Sequence, residues 1–263
     1  MSLHVRPNRE LGQHFLVDDN ILGVIGRLAQ IDAADVVLEV VPGLGVLTEY
    51  LLARVAYVHA VELDRSLAPH LAERVGAAGN VELHFGDALT LDLAALDPAP
   101  AKLVANLPYS IATPLVVESL EGLPSVRLWT VMVQREVADR FFAVPSTKQY
   151  GAVSVLLQLA TERTGFHPVS RTVFRPRPNV DSALVAFRRT ALPPAFPEIK
   201  RVVEGAFAHR RKTLPNSLEL AGIATRAEAA AALETIGRPP GARAEALPPR
   251  AFEALTHALG LAA

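Results

Sequence analysis

The segment Asn106-Leu107-Pro108-Tyr109 follows the apolar run LVA at a predicted strand end, and it combines an amide, a proline-stiffened backbone and an aromatic ring. An exocyclic amine on an aromatic base is a poor nucleophile because its lone pair is delocalised into the ring. The Asn106 side-chain oxygen and a backbone carbonyl of Leu107-Pro108 can accept its two N–H groups and favour a localised lone pair. Tyr109 can stack on the ring, as aromatic side chains do with unpaired bases. The segment therefore indicates chemistry on an amine-bearing base, although an Asn-capped proline turn would have the same sequence.

Glycine or acidic residues follow three other predicted strands. The glycines of Pro42-Gly43-Leu44-Gly45 would let the backbone approach a cofactor closely. Glu62, with Asp64 beside it, ends the next strand, where a carboxylate can accept hydrogen bonds from both ribose hydroxyls of an adenosine-containing cofactor. The carboxylate or adjoining backbone of Gly86-Asp87-Ala88 can bind an adenine edge. Because ligands bind at the carboxyl ends of parallel strands, these segments predict a nucleoside-cofactor site.

The glycine loop is not a dinucleotide-binding fingerprint. That fingerprint, Gly-x-Gly-x-x-Gly, needs a third glycine at the position that Thr48 occupies here. A nicotinamide-dependent enzyme is therefore disfavoured.

Short apolar runs alternate with helix-like stretches, which predicts βαβ units and a mostly parallel sheet. The predicted strands are VVLEVVPGLG (36–45), YVHAVELD (57–64), VELHFGDAL (81–89), KLVANLPY (102–109) and LWTVMVQRE (128–136), with further edge strands in GAVSVLLQLATERTGFHPVS (151–170) and SALVAFRR (182–189). The proline-rich segment 190–200 predicts a linker, and the rest, beginning with RVVEGAFAHRRKTLPNSLELAG (201–222), is predicted to be helical. We therefore expect an α/β domain over residues 1–189 and a small helical domain over 190–263.

Composition excludes several classes of protein. The 263 residues are 50% hydrophobic and 20% charged, so the chain can bury a full core, and it contains no cysteine. Disulfides and Cys-ligated zinc are therefore excluded. The first residues do not have the charged-then-apolar pattern of a secretory leader, and no apolar run reaches about 20 residues, so neither a leader nor a membrane span is expected. We expect a cytoplasmic protein that contacts no membrane and, because no feature demands more, a monomer.

The net charge of −1 conceals an uneven distribution. Residues 163–212 carry 11 Lys and Arg against 3 Asp and Glu, whereas residues 1–162 carry 11 against 19. Lys and Arg bind polyanions mainly by releasing condensed counterions. The basic stretch therefore predicts a phosphate-contacting surface, with a solvated basic face as the alternative.

Several further segments have specific patterns. They are Gly12-Gln13-His14-Phe15-Leu16, Ser110-Ile111-Ala112-Thr113-Pro114-Leu115, Gln134-Arg135-Glu136-Val137, Phe174-Arg175-Pro176-Arg177-Pro178-Asn179-Val180-Asp181-Ser182-Ala183 and Arg210-Arg211-Lys212-Thr213. With the strand-end motifs, they make the sequence resemble the adenine-N6 dimethyltransferases of ribosomal RNA over nearly its whole length. The resemblance is to the bacterial small-subunit (16S) family, which dimethylates two adjacent adenosines near the 3′ end.

The resemblance implies a Rossmann-like S-adenosylmethionine-dependent methyltransferase domain, with segment 1–20 folding over the cofactor, and a small C-terminal helical domain. It implies S-adenosylmethionine as cofactor, 16S rRNA in the assembling small subunit as partner, and a role in subunit biogenesis. The residues expected to bind the cofactor are His14, Leu16, Gly43, Gly45, Glu62, Asp87, Ala88 and Asn106. Those expected at the target base are Asn106, Leu107, Pro108, Tyr109 and Phe174. Those expected to contact RNA are Arg175, Arg177, Arg210, Arg211 and Lys212. No metal site is expected, because no second His or acid lies at ligand spacing from His14.

Val41 departs from the family pattern, which has glycine at this position. A β-branched residue at positive φ costs about 1–3 kcal/mol, but the following Pro42 favours an extended conformation that valine tolerates. We therefore expect the Val41 side chain to crowd the cofactor and weaken its binding without preventing folding.

Two alternatives remain open. The first alternative is a large-subunit rRNA methyltransferase of the kind that confers macrolide resistance, because those enzymes have a similar fold. Residues 106–114 and 181–183 match the small-subunit branch instead. A non-catalytic ribosome-assembly factor would retain rRNA binding with a damaged cofactor site. Val41 alone favours that second alternative, and the intact Glu62, Asp87 and Asn106 argue against it.

Overall fold

The computed structural model describes residues 7–8, 11–108 and 110–262. Its strands are β1 (Phe15–Leu16), β2 (Val36–Val40), β3 (Tyr57–Glu62), β4 (Val81–Phe85), β5 (Lys102–Asn106), β6 (Leu128–Gln134), β7 (Thr161–Val169), β8 (Phe174–Arg175) and β9 (Ser182–Arg189). Its helices are α1 (Asp19–Leu28), α2 (Val46–Leu52), α3 (Ala68–Val75), α4 (Ala112–Gly122), α5 (Arg135–Phe141), α6 (Ala152–Ala160), α7 (Phe196–Ala208), α8 (Leu214–Leu220), α9 (Arg226–Thr235) and α10 (Pro249–Ala258). Among the residues described, no helix combines the length and the apolar character needed to span a bilayer.

Seven strands form one sheet in the order β4-β3-β2-β5-β6-β9-β7, and β1 pairs with β8 separately. Strands β2 to β6 run parallel, whereas β9 runs antiparallel to β6. Strands that are buried on both faces have continuous apolar sequences, which is why β2 and β6 could be located in the sequence. The predicted α/β fold with a mostly parallel sheet is confirmed.

The strand order reverses beside β2. The chain passes from β2 through β3 to β4 at one edge, and then returns to place β5 on the other side of β2. Connections from the carboxyl ends of two such neighbours leave in opposite directions and open a crevice, where ligands bind in folds of this kind. Val40 pairs with Val61 and Glu62 with Phe85, so these carboxyl ends lie at the same edge of the sheet.

Two predicted elements differ from the structure. Residues 151–170 were predicted as a strand, but they form helix α6 followed by strand β7. The first half is rich in Ala and Leu, which favour helix. Thr161–Val169 is more polar and more exposed, and it forms a strand at the edge of the sheet. The predicted helical stretch 201–222 is interrupted between α7 and α8. Pro215, in the first turn of α8, suits a new helix start and cannot continue a preceding helix.

The chain divides into two compact units. One comprises residues up to Ala138 together with Arg163–Arg189, and the other comprises Asp139–Glu162 together with residues from Thr190 onward. The chain enters the second unit after Arg189, where the sequence predicted a boundary, but the second unit also includes an earlier segment. That segment belongs there because the buried Tyr150 hydroxyl donates to the Leu247 carbonyl at 2.8 Å.

Candidate active site

A cleft lies at the carboxyl ends of β2 and β5. Residues of the N-terminal strand, the loop after β2 and the segment after β5 line it together. A second cavity lies at the ends of β3 and β4. Gln13, Val41 and Pro108 line both cavities and therefore form the border between them.

The two glycines of the loop after β2 have the backbone conformation that favours glycine. Gly43 has a φ of 60° and Gly45 a φ of 75°. A Cβ atom on Gly43 would lie 3.1 Å from the Phe15 ring, so the close approach also requires glycine. The Gly45 N–H donates to the Pro42 carbonyl at 2.9 Å immediately before α2. This turn carries the Gly43 N–H to the Glu62 carboxylate, 3.0 Å away.

Val41 does not have the conformation expected from its position before Pro42. Its φ is 62°, in the left-handed region, so the expectation of an extended backbone is wrong. The Val41 N–H donates to the Val61 carbonyl at 2.8 Å and so extends the pairing of β2 with β3. The chain must then turn at once to place the Gly43 N–H on Glu62. Val41 therefore combines a strained backbone, costing about 1–3 kcal/mol, with a side chain on the border of both cavities.

Glu62, the last residue of β3, is 2% exposed and lines the second cavity. Its Oε2 accepts the Gly43 N–H, and its Oε1 accepts the Asp64 N–H at 2.9 Å. Burial raises the pKa of the Glu62 carboxyl, and these backbone N–H groups oppose the shift. Each carboxylate oxygen has a second lone pair for a ligand hydroxyl. Asp64 is held instead by Ser66 and Gln13, whose Nε2 donates to Asp64 Oδ2 at 2.7 Å, and these contacts lower its pKa.

Asp87 and Ala88 follow β4 and line the second cavity together with Glu62. The Asp87 Oδ1 accepts the Leu89 N–H at 2.9 Å, and the Asp87 carbonyl accepts the Thr90 N–H at the same distance. These bonds hold the residues in a tight turn at the strand end. The structure thus brings the acidic residues from two predicted strand ends to one cavity.

Glu39 lies in the predicted strand run VVLEVVPGLG (36–45) but is not among the predicted site residues. It lies within β2, is 1% exposed and lines the first cavity. Its Oε2 has no hydrogen-bond partner among the described residues. Burial raises the pKa of Glu39 to about 8, and the Glu62 carboxylate adds to the shift. The signal that could have identified it is a carboxylate in the middle of an otherwise apolar strand.

Asn106, Leu107 and Pro108 line the first cavity at the end of β5. The Asn106 Nδ2 donates to the His14 carbonyl at 3.4 Å. That bond orients the amide and leaves its oxygen on the opposite side as an acceptor. The Pro108 carbonyl accepts the Ala112 N–H at 3.1 Å, at the start of α4. The Leu107 carbonyl is therefore the backbone acceptor that this segment can offer to a ligand.

The two-stranded ribbon of β1 and β8 brings distant residues to the same cavity. Leu16 pairs with Phe174, which is 3% exposed, and both residues line the cavity. The His14 Nδ1–H donates to the Pro176 carbonyl at 2.7 Å. Tyr109, which was predicted to stack on the target base, lies outside the described residues.

The predicted RNA-contacting residues have different surroundings. Arg175 and Arg177 are exposed next to Phe174. Arg211 and Lys212 are exposed in the turn between α7 and α8. Arg210, in the same turn, donates to the Lys148 and Tyr150 carbonyls at 3.2 and 2.7 Å, so it also braces the second unit.

Comparisons with known proteins agree on one family. Residues 5–239 match the family described as "Ribosomal RNA adenine dimethylase". The chain is 47% identical over 251 residues to "Ribosomal RNA small subunit methyltransferase A" of Rubrobacter xylanophilus, covering 95% of this chain and 94% of that protein. It is 44% identical to the protein of the same name from Thermobifida fusca, covering 94% and 88%.

Solved structures share the fold. A dimethyladenosine transferase from Plasmodium falciparum has a TM-score of 0.74 at 24% identity, covering 92% of this chain and 96% of that chain. The 23S rRNA methyltransferase ErmE has a TM-score of 0.66 at 30% identity, covering 94% and 99%. The Rossmann-like methyltransferase fold class is therefore confirmed. On the match to the family, the relatives and the shared fold, the chain belongs to the ribosomal RNA adenine dimethylase family and is an rRNA adenine dimethyltransferase.

Proposed function

We propose that this protein transfers methyl groups from S-adenosylmethionine to the N6 atoms of two adjacent adenosines near the 3′ end of 16S rRNA, in the assembling small subunit. The names of relatives at 44–47% identity support the small subunit as the substrate. The protein acts in the cytoplasm during subunit biogenesis. The observation that carries the proposal is that one cleft is lined by both the glycine loop after β2 and the Asn106–Pro108 segment after β5.

The residues of the two cavities fit S-adenosylmethionine. The unpartnered Glu39 Oε2 can accept a hydrogen bond from the ammonium group of its methionine part. Glu62 can hold the ribose and Asp87 the adenine amine in the second cavity, with the Ala88 backbone beside them. Gly43 and Gly45 let the loop backbone approach the cofactor. When bound, this cofactor supplies an electrophilic methyl group on a sulfonium.

The N-terminal segment completes the cofactor site. His14 and Leu16 line the first cavity, and the His14 bond to the Pro176 carbonyl ties the segment to the residues after β8. The Asn106 amide bonds to the His14 carbonyl, so the segment that covers the cofactor also orients the group that recognises the base.

Asn106 and Leu107 activate the target amine. In the first methyl transfer, the Asn106 Oδ1 and the Leu107 carbonyl accept the two N6–H groups, which localises the nitrogen lone pair and directs it toward the methyl carbon. Pro108 stiffens this backbone, and Phe174 and Tyr109 hold the base by stacking. The new N–C bond makes the N6 proton acidic, so it leaves to solvent and no side chain needs to act as a general base.

Exposed cations hold the RNA. Arg175 and Arg177 are exposed and lie within three residues of Phe174, which supports a role in contacting phosphates that flank the target base. Arg211 and Lys212 contact phosphates from the second unit, and Arg210 contributes while it braces the turn. Such contacts position the substrate and make affinity depend on salt.

The test is methylation of small subunits from a strain that lacks the two dimethyladenosines, using labelled S-adenosylmethionine followed by nucleoside analysis. We expect the label as N6,N6-dimethyladenosine in 16S rRNA. Asn106→Ala should lower kcat by about 10²–10³-fold, the range for loss of one preorganised hydrogen-bonding group. Gln149→Ala, at an exposed side-chain amide that lines neither cavity, is the matched control and should retain activity.

Large subunits are the second substrate in the same experiment, because the similarity to a 23S rRNA methyltransferase favours that candidate. Label in large-subunit rRNA alone would contradict the proposal and assign the large subunit. Absence of label at saturating cofactor, with subunit binding intact, would contradict catalysis and assign a binding role in assembly.

A further inference from the structure

Three potential metal ligands meet on strands β3 and β4, outside both cavities described above. The His59 Nδ1 lies 3.2 Å from the His84 Nε2 and 3.6 Å from the Glu82 Oε2, and the last two atoms lie 3.7 Å apart. The His59 side chain is fully buried, whereas 22% of His84 and 50% of Glu82 remain exposed. The cluster therefore has a fixed inner ligand and a side that solvent can reach.

Sheet register builds this cluster. His59 pairs with Glu82 across the parallel β3–β4 ladder. Glu82 and His84 are two residues apart on one strand, so their side chains point to the same face. The register of the β3–β4 ladder brings His59 to Glu82 and His84, and no spacing in the sequence indicates this contact. For that reason no metal site is expected from the sequence alone.

A backbone carbonyl determines the tautomer of His59, that is, which ring nitrogen carries the proton. The His59 Nε2 lies 2.9 Å from the Pro98 carbonyl, which can only accept, so Nε2 carries the proton. In a neutral imidazole the other nitrogen, Nδ1, then presents a lone pair toward the cluster. Metal-binding histidines are commonly oriented in this way, with the second ring nitrogen donating to a carbonyl or carboxylate.

We propose that His59, Glu82 and His84 bind a Zn²⁺ ion. Two ligand atoms about 2.0–2.2 Å from a tetrahedral zinc ion lie roughly 3.3–3.6 Å apart. The three separations of 3.2, 3.6 and 3.7 Å match this spacing closely, and two imidazoles with one carboxylate form a common zinc ligand set. A water molecule takes the fourth position on the exposed side.

The ion links three parts of the first unit. His59 and His84 join β3 to β4, and the His59 bond to Pro98 attaches the loop before β5. Binding therefore stabilises this edge of the sheet and is independent of the proposed methyl transfer. In the absence of metal, the His84 Nε2–H can donate to the His59 Nδ1, so the strands are also joined without it.

The experiment is a calorimetric Zn²⁺ titration of full-length, tag-free protein that has been stripped with chelator. We expect one ion per chain in the wild type. Glu82→Gln and His84→Gln should each weaken Zn²⁺ binding at least about 10-fold. Loss of an outer-shell partner alone weakens metal binding by about this factor, and loss of a direct ligand should weaken it at least as much. His257→Gln, at an exposed residue of α10, removes a histidine elsewhere and should leave affinity unchanged.

Thermal unfolding of the same proteins gives a second measurement. Zn²⁺ should raise the Tm of the wild type and of His257→Gln, and it should raise the Tm of the cluster variants less. Glu82→Gln replaces a half-exposed side chain, so this variant is expected to fold even if His84→Gln does not. Equal Zn²⁺ affinity in the wild type and Glu82→Gln, or no binding by the wild type, would overturn the proposal.

Discussion

Replacing Val41 by glycine changes two quantities that can be measured separately, the free energy of unfolding and the affinity for the cofactor. For stability, glycine removes the left-handed strain of about 1–3 kcal/mol that valine carries at a φ of 62°. Two effects destabilise the glycine variant. Its unfolded state has more conformational entropy, which costs about 0.5–1 kcal/mol. The variant also loses the packing of a half-buried valine, which costs less than the roughly 1.5–3 kcal/mol of a fully buried one. These terms oppose each other, so we expect little net change in stability.

Cofactor affinity should change more, because the Val41 side chain lies on the border between the cavity with Glu39 and the cavity with Glu62. A cofactor that occupies both cavities must cross this border. Overpacking by one side chain costs about 1–3 kcal/mol, and each 1.4 kcal/mol corresponds to tenfold in Kd. We therefore expect Val41→Gly to bind S-adenosylmethionine roughly 5- to 150-fold more tightly than the wild type.

Calorimetric titration with S-adenosylmethionine and with S-adenosylhomocysteine measures the effect, and denaturant unfolding measures stability. Val41→Ala retains Cβ and should give an intermediate Kd. Val144→Gly, at an exposed valine of the second unit, is the matched control and should bind like the wild type. If Val41→Gly binds no more tightly than the wild type, the side chain does not obstruct the cofactor and the reasoning fails.

Three further predictions concern charged groups. Because burial raises the pKa of Glu39 from 4.5 to about 8, the folded state holds a proton that the unfolded state loses, and the free energy of unfolding should fall as pH rises through this range. Glu39→Gln should make that fall smaller and leave the part that the raised pKa of Glu62 contributes, and an equal decline of Tm between pH 5 and pH 8 in both proteins would contradict the prediction. Replacing Arg211 and Lys212 by alanine should reduce the slope of log affinity for 16S rRNA fragments against log salt concentration by about 1 per side chain. An unchanged slope would show that the RNA does not contact these two residues. Arg210→Ala should lower stability by roughly 1.5 kcal/mol, because two carbonyls lose a charged donor; unchanged denaturant unfolding would show that these bonds contribute nothing.

Local sequence determined the elements and the strand ends of this protein. Apolar runs located β2, β3, β5 and β6, because strands buried on both faces need continuous apolar residues. The glycines of the loop after β2 and the acidic residues after β3 and β4 were predictable, because parallel strands present their carboxyl ends at one edge. Segment 151–170 was not, since its Ala- and Leu-rich first half is compatible with a buried strand or a buried helix.

Long-range pairing decided the rest. Phe174 reaches the cleft only because β8 pairs with β1, and no spacing in the sequence encodes that partnership. The left-handed backbone of Val41 follows from its bond to Val61 and from the reach of Gly43 to Glu62, which outweigh the local preference before proline. His59 joins Glu82 and His84 through the β3–β4 register alone. Sequence determines which groups can do chemistry, and tertiary hydrogen bonding decides which of them meet, because those bonds connect residues whose separation along the chain carries no periodic signal.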